Sequence, residues 1–297
     1  VDNRSEVREF LTSRRARISP EQAGLPSYGT RRVPGLRRAE VAQLAGVSVE
    51  YYSRLERGDL AGVSDSVLNA LARALRLNDE ERIHLEDLAR AAGPGLRRRR
   101  RRPASQRVRP TVQRLLDSIT GPAFVMNGRG DLVAFNALGR ALYAPMIEAA
   151  RGAVPNHARF LFLDARSHQF WGDWERAAND TVALLHAEAG RDPYDKDLTA
   201  LVGELSTRSD DFRARWARHD VRLHHIGSKP VRHPVVGDLH LTYESMDLPA
   251  DALTLVAYGT EPGSDSEDKL RLLASWATTA EIASADGDLV NDRADNR

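Results

Sequence analysis

Val49, Glu50, Ser53 and Arg54 fall within one short stretch, Gly46 to Leu60, that reads GVSVEYYSRLERGDL. On a helix, positions three and four apart share a face. The four residues would then present a methyl-bearing side chain, a carboxylate acceptor, a hydroxyl and a guanidinium fork side by side. That set can read base edges in a DNA major groove. Arginine bonds guanine O6 and N7, a carboxylate accepts from cytosine N4, and an apolar side chain touches the thymine methyl. Tyr51 borders the set and Ser48 precedes it as an N-cap. Arg38, at the start of the preceding helix, and Arg57, at the end of this one, are placed for phosphates. The competing reading is an amphipathic helix with a solvated polar face.

A reading helix must be held by its neighbours, and the flanking sequence supplies them. Tyr52 and Leu55 are three apart and can face a core, with Val47 apolar just before the helix. The stretch LRRAEVAQLAG reads as a helix stopped by Gly46, and Gly58 marks the end of the next. Upstream, SEVREFLTSRRARI places Val7, Phe10, Leu11 and Ile18 near one face. Downstream, SDSVLNALARALRL, with Ser64 or Asp65 as cap, and NDEERIHLEDLARAAG, with Ile83, Leu85 and Leu88 apolar, complete five helices. Residues 1–92 therefore read as an all-α helix-turn-helix domain, the architecture that places its second helix in a groove.

Charge supports that division. Residues 1–110 hold 23 Arg and no Lys against 14 acidic residues, while the rest of the 297 residues carries an acidic excess; the two nearly cancel to +1. The basic half suits a polyanion and the acidic half does not. Residues 93–110, with the run Arg97 to Arg102, read as a linker, either a solvated tether or an auxiliary phosphate contact. The absence of cysteine excludes disulfides and cysteine-ligated metals. No apolar run reaches the roughly 18 residues of a membrane span, and the first residues lack the apolar core of a signal peptide. A cytoplasmic protein without a membrane partner is the expectation.

From Thr111 the periodicity changes. GPAFVMNGRGDLVAFN is two apolar runs around a turn at Gly128–Asp131, a β-hairpin. Helical segments follow, then three strand candidates: Val221–Ile226 extending to Val236, Leu239–Met246, and Ala252–Gly259. A helix over SEDKLRLLASWAT closes the domain at 111–280, and 281–297 reads as a disordered tail. Two strands, helices, three strands is an α+β domain with an antiparallel sheet and helices on one face, a PAS-like order. Phe124, Met126, Phe135, Phe162, Phe170, Trp171, Trp174, Phe212, Trp216 and Tyr243 concentrate the aromatic and sulfur-bearing bulk there. They line either an ordinary core or a pocket for a small apolar ligand. A cationic partner for an acidic ligand is not apparent from the sequence. His219, His224, His225, His233 and His240 lack the spacing of a metal site, so no metal and no obligatory cofactor are expected.

The stretch RRVPGLRRAEVAQLAGVSVEYYSRLERG resembles the Xre-type helix-turn-helix, with Ala42, Gly46, Val47, Ser48, Leu55, Glu56 and Gly58 at its characteristic positions. With DWERAANDTVALLHAEAGRDPYDKDLTALVGELSTRSDDFRARWARHDVR and HPVVGDLHLTYESM, the chain resembles actinobacterial regulators with a MmyB-like ligand-binding domain. The resemblance implies a transcription regulator with a PAS-like C-terminal domain that binds an apolar molecule such as a fatty acid. It assigns base reading to Val49, Glu50 and Arg54. Arg31 and Arg32, on the loop before the second helix, either reach a minor groove or phosphates as an arm would or belong to a purely structural loop. Helix-turn-helix dimers imply a homodimer on a palindromic operator in double-stranded DNA. Two rival readings remain: a C-terminal domain that only dimerises or binds a protein partner, and a self-cleaving repressor using Ser245 with Lys269 at an Ala92–Gly93 bond.

Overall fold

A computed structural model describes residues 3–25, 35–93, 108–218 and 226–276. In chain order the helices are α1 (Asn3–Arg17), α2 (Arg38–Ala45), α3 (Val49–Glu56), α4 (Asp65–Ala74), α5 (Asp79–Ala92) and α6 (Pro110–Asp117). The strands β1 (Ala123–Asn127) and β2 (Leu132–Phe135) follow. Then come α7 (Ala137–Leu142), α8 (Ala144–Ala149), α9 (His157–Leu163), α10 (Ser167–Phe170), α11 (Trp174–Arg191), α12 (Lys196–Arg208) and α13 (Asp210–Trp216). The strands β3 (Ile226–His233), β4 (Gly237–Leu248) and β5 (Leu253–Gly259) lead to a last helix, α14, over residues 265–276. Contacts group Val1–Arg101 with Val182–Leu223 as one compact unit, and Arg102–Thr181 with His224–Arg297 as the other.

In the first unit the expected caps form. Ser48 Oγ accepts from the Tyr51 amide at 3.0 Å. Gly46 is left-handed (φ 68°), which lets the Val47 amide reach back to the Ala42 carbonyl. Ser64, rather than Asp65, caps α4. Asn78 and Glu81 exchange side-chain-to-amide bonds at the start of α5. Phe10, Leu36, Val41, Tyr52, Leu55, Leu71 and Leu85 are buried together. One expectation is reversed: Ile83 is exposed and His84 is buried in its place, with its ring edge-on to Phe10 at 4.9 Å.

Sequence periodicity assigns 111–280 to one domain, whereas contacts place 182–223 in the unit of the N-terminal helices. Leu198, Leu201, Val202 and Leu205 of α12 are buried as their spacing requires, but an amphipathic stripe does not specify which core it joins. Polar groups fix the choice. Buried Glu6 of α1 has a carboxyl oxygen 2.9 Å from His186 Nδ1, and His186 Nε2 donates to the Trp216 carbonyl at 3.0 Å. The His186 ring also stacks on Trp216, with centroids 3.7 Å apart.

The second unit is built on one antiparallel sheet in the order β2-β1-β5-β4-β3. The hairpin turn is held by Asn127 Oδ1, which accepts from the Arg129 and Asp131 amides, with Gly130 at φ 79°. β4 is longer than the sequence suggests and β3 ends before Val236; the strand expected at 221–225 lies outside the described residues. Strand alternation separates two cores. Phe124, Val256 and Tyr258 face the core formed with α7 to α11, while Val125, Leu253 and Leu255 face Val112 and Leu116 of α6. The expectation of helices on one face is thus corrected: α6 covers the other.

Candidate nucleic-acid interface and ligand-binding core

α3 has two unlike sides. Tyr52, Leu55 and Glu56 are buried, while Val49, Glu50 and Arg54 are exposed and Tyr51 and Ser53 are half-buried. The Arg54 guanidinium lies over the Tyr51 ring at 5.0 Å and 3.6 Å from the Asp59 carboxylate. Both contacts are on the surface and leave the fork open to exchange for a base edge. Arg57 is exposed at the end of the helix. Arg31, Arg32 and the run Arg97 to Arg102 lie outside the described residues.

The inner side is held by a buried carboxylate. Glu56, 1% exposed, accepts from Arg15 Nε at 2.8 Å and Arg15 Nη2 at 3.0 Å, and from Arg38 at 2.9 Å. Burial pushes its carboxyl up, but the Arg15 hydrogen bonds and charge, with those of Arg38, outweigh it and leave the group below the usual carboxylate range. Arg38, read from sequence as a phosphate contact, spends its guanidinium on Glu56. Arg15, 41 residues from Glu56, escaped sequence reasoning because nothing local signals the pairing. The network fixes α3 against α1 and α2, so the outer face is presented rigidly.

This arrangement separates two arginine roles. Arg54→Ala is expected to cost about 1–3 kcal/mol on a preferred site and much less on random DNA. Arg57→Ala should weaken both alike and lower the salt dependence of log K by about 1. Fluorescence anisotropy on selected and random duplexes at several salt concentrations measures both. Equal losses on the two DNAs for each variant would mean that the facing is wrong.

In the second unit the aromatic residues named from sequence do not form one set. Phe124, Phe135, Phe170, Trp171 and Tyr243 are buried in the sheet-facing core, with Met126, Phe162 and Trp174 half-buried at its edge. Phe212 and Trp216 belong to the other unit and are not part of this core. Sequence reasoning missed Tyr143 and Tyr258, whose hydroxyls meet at 2.6 Å within the core. Burial raises both phenols above their usual value, so they are neutral and bond to each other. Of the histidines, His219, His224 and His225 lie outside the described residues; His233 is buried and its Nε2 donates to the Ala141 carbonyl at 3.1 Å, while His240 is exposed. Among the described residues no cluster of three His, Asp or Glu could hold a metal, and no helix is long and apolar enough to cross a membrane. Lys269 donates to the Asp238 carbonyl at 3.0 Å and pairs with Asp265 at 2.6 Å.

His157 is the other group the sequence did not flag. The Thr181 hydroxyl donates to the Ala177 carbonyl at 2.7 Å and so accepts from His157 Nδ1 at 3.2 Å. Burial first, then the charge of Lys229, lower its pKa from 6.5 to about 3. Between pH 6.5 and about 3 the unfolded chain holds a proton here that the folded unit does not, so stability falls as pH drops through that window. Urea unfolding from pH 7 to pH 4 should show a steeper loss in the native protein than in His157→Gln. Identical slopes would remove His157 from the account.

Comparison with known families agrees with the two-part reading. Residues 5–85 match a helix-turn-helix domain, and residues 108–273 match the MmyB-like transcription regulator ligand binding domain. A search of curated proteins finds no match. The chain is thus a DNA-binding transcription regulator with a ligand-sensing C-terminal region. With its reading helix clamped from within and more than half of its length matched, this chain belongs to the family of MmyB-like transcription regulators.

Proposed function

We propose that the protein is a cytoplasmic homodimer that reads a palindromic operator in double-stranded DNA and responds to a small apolar ligand of the fatty-acid class. The observation that carries the DNA half is the asymmetry of α3: an inner side locked by Glu56, and an outer side offering Val49, Glu50, Ser53 and Arg54. Two such helices in a dimer lie about 34 Å apart, one turn of the duplex. The aromatic core around Phe124, Tyr143, Phe170 and Trp171 supports an apolar ligand. A ligand acts on DNA binding only through different affinities for the two states.

Selection of bound DNA from a random pool, with and without a lipid extract, tests this reading. Two half-sites one turn apart, and an affinity that changes with the extract, are expected. A pool that shows no enriched sequence refutes the reader assignment. A palindrome whose affinity ignores saturating ligand instead favours a C-terminal region that only dimerises or takes a protein partner.

A further inference from the structure

We propose that Lys229, Arg176 and the indole N–H of Trp171 form an anion site in the C-terminal ligand-binding unit, and that its occupant is the carboxylate head of the apolar ligand. This rests on the reading that the unit takes such a ligand. It adds the residues that select the head group.

The starting point is a lysine at a core-facing register. On β3 the side chains of 229, 231 and 233 share one face, and Val231 and His233 are both buried. Lys229 is therefore aimed where an apolar residue belongs. Its Nζ lies 4.9 Å from the Trp171 ring centroid and 5.4 Å from that of Tyr243. Ring faces offset part of the cost of burying a cation, but not all of it. Burial, with the Asp180 charge raising and the Arg176 charge lowering it further, leaves the ammonium with a pKa of about 8. Among the described residues no carboxylate pairs with Lys229.

The neighbours make the spot more positive. Arg176 and Tyr243 both border the β3 backbone two residues earlier: a Cβ added at Gly227 would stand 3.3 Å from the Tyr243 hydroxyl and 3.4 Å from Arg176 Nη2. Asp180 is the carboxylate facing this group, and Arg176 already pairs with it at 3.9 Å. His157 is neutral, and Tyr243 is held protonated because burial raises its phenol. Among the described residues, Lys229 and Arg176 thus both face the Asp180 carboxylate. Trp171, 1% exposed, also carries an indole N–H with no acceptor among the described residues. It is brought beside β3 by its bridge to Val231 and by the Gly172 amide, which donates to the Pro230 carbonyl at 3.0 Å. A buried donor without an acceptor is costly to keep. A carboxylate has the charge for Lys229 and the lone pairs for both N–H groups. An alcohol lacks the charge.

Titration of the full-length protein with dodecanoate and with dodecanol, followed by tryptophan fluorescence, tests the site. Native protein should bind the acid about ten-fold or more tightly than the alcohol, as expected for charge-assisted bonds. In Lys229→Met the two should bind within about two-fold, with alcohol binding kept, and the unliganded variant should unfold at a higher temperature because a half-buried cation without a carboxylate partner among the described residues is gone. A structural lysine would give the opposite thermal shift. Equal binding of acid and alcohol by native protein, or an unchanged preference in Lys229→Met, overturns the head site and leaves the apolar-ligand reading intact. A native protein that binds neither overturns both. Should Lys229→Met lose the alcohol as well, reductive methylation with labelled formaldehyde decides on native protein, whose lysines are 196, 229 and 269. An upward move of the Lys229 titration with dodecanoate supports the site, and an unmoved one overturns it.

Discussion

Glu56→Ala should destabilise the helix-turn-helix unit by about 3–5 kcal/mol, the cost of breaking a buried ion pair from one side. The change strands the Arg15 guanidinium, which is itself largely covered, and frees Arg38 to solvent. A domain stable by about 5–15 kcal/mol loses a large fraction of its margin. DNA binding should fall with folding, although Glu56 is buried away from the exposed side of α3. Glu56→Gln keeps an acceptor and should lose less. Arg15→Ala should cost about as much as Glu56→Ala, and the double variant less than the sum. The acid limb offers a second check. The Glu56 carboxyl sits below its usual value of 4.5, so its contribution is complete above that value and disappears as pH falls through the lower, folded one. Thermal unfolding of each variant measures all of this; additive losses would mean that Arg15 and Glu56 do not act together.

Gly58→Ala is the second large effect, and it comes from backbone rather than charge. Gly58 sits at φ 98°, and a Cβ there would lie 2.5 Å from the Arg4 carbonyl oxygen of α1. An alanine must pay for a strained φ, about 1–3 kcal/mol, and for overpacking of similar size. A loss of about 3 kcal/mol is expected. The glycine at the end of α3 therefore sets how closely α1 approaches it. Gly46→Ala makes the contrast: it is also left-handed, but nothing lies within 4 Å of its would-be Cβ, so only the smaller conformational term applies. Equal losses for the two variants would show that the approach of α1 is not tight.

The legible parts of this protein were the local ones. Ser48, Gly46 and Gly58 punctuate α2 and α3 within a few residues, so the two helices and the exposed side of α3 could be read directly. Glu56 stood out as a position of the family motif, but Arg15 did not, because its partner lies a helix and a loop away. Ile83 and His84 show the limit of periodicity. Both fit a face of α5, and Glu6, Phe10 and the helices beyond residue 182 select the polar one. Lys229 was invisible for another reason. Its meaning depends on strand register, and a shift of one residue would have pointed it to solvent. Phe212 and Trp216 pack by contacts in the unit of the N-terminal helices, because amphipathic spacing names a buried face without naming its neighbour.

The bond between Glu6 and His186 bears on how such regulators diversify. A natural recombination event that exchanged the DNA-reading head at residues 93–110 would carry Glu6 away from His186 and leave a buried carboxylate facing a stranger's helix. The crossover that looks cleanest in the sequence is therefore a poor one. The first helix and the segment beyond residue 182 share one buried polar contact, so an exchange that separates them costs more than a substitution on the exposed face of α3.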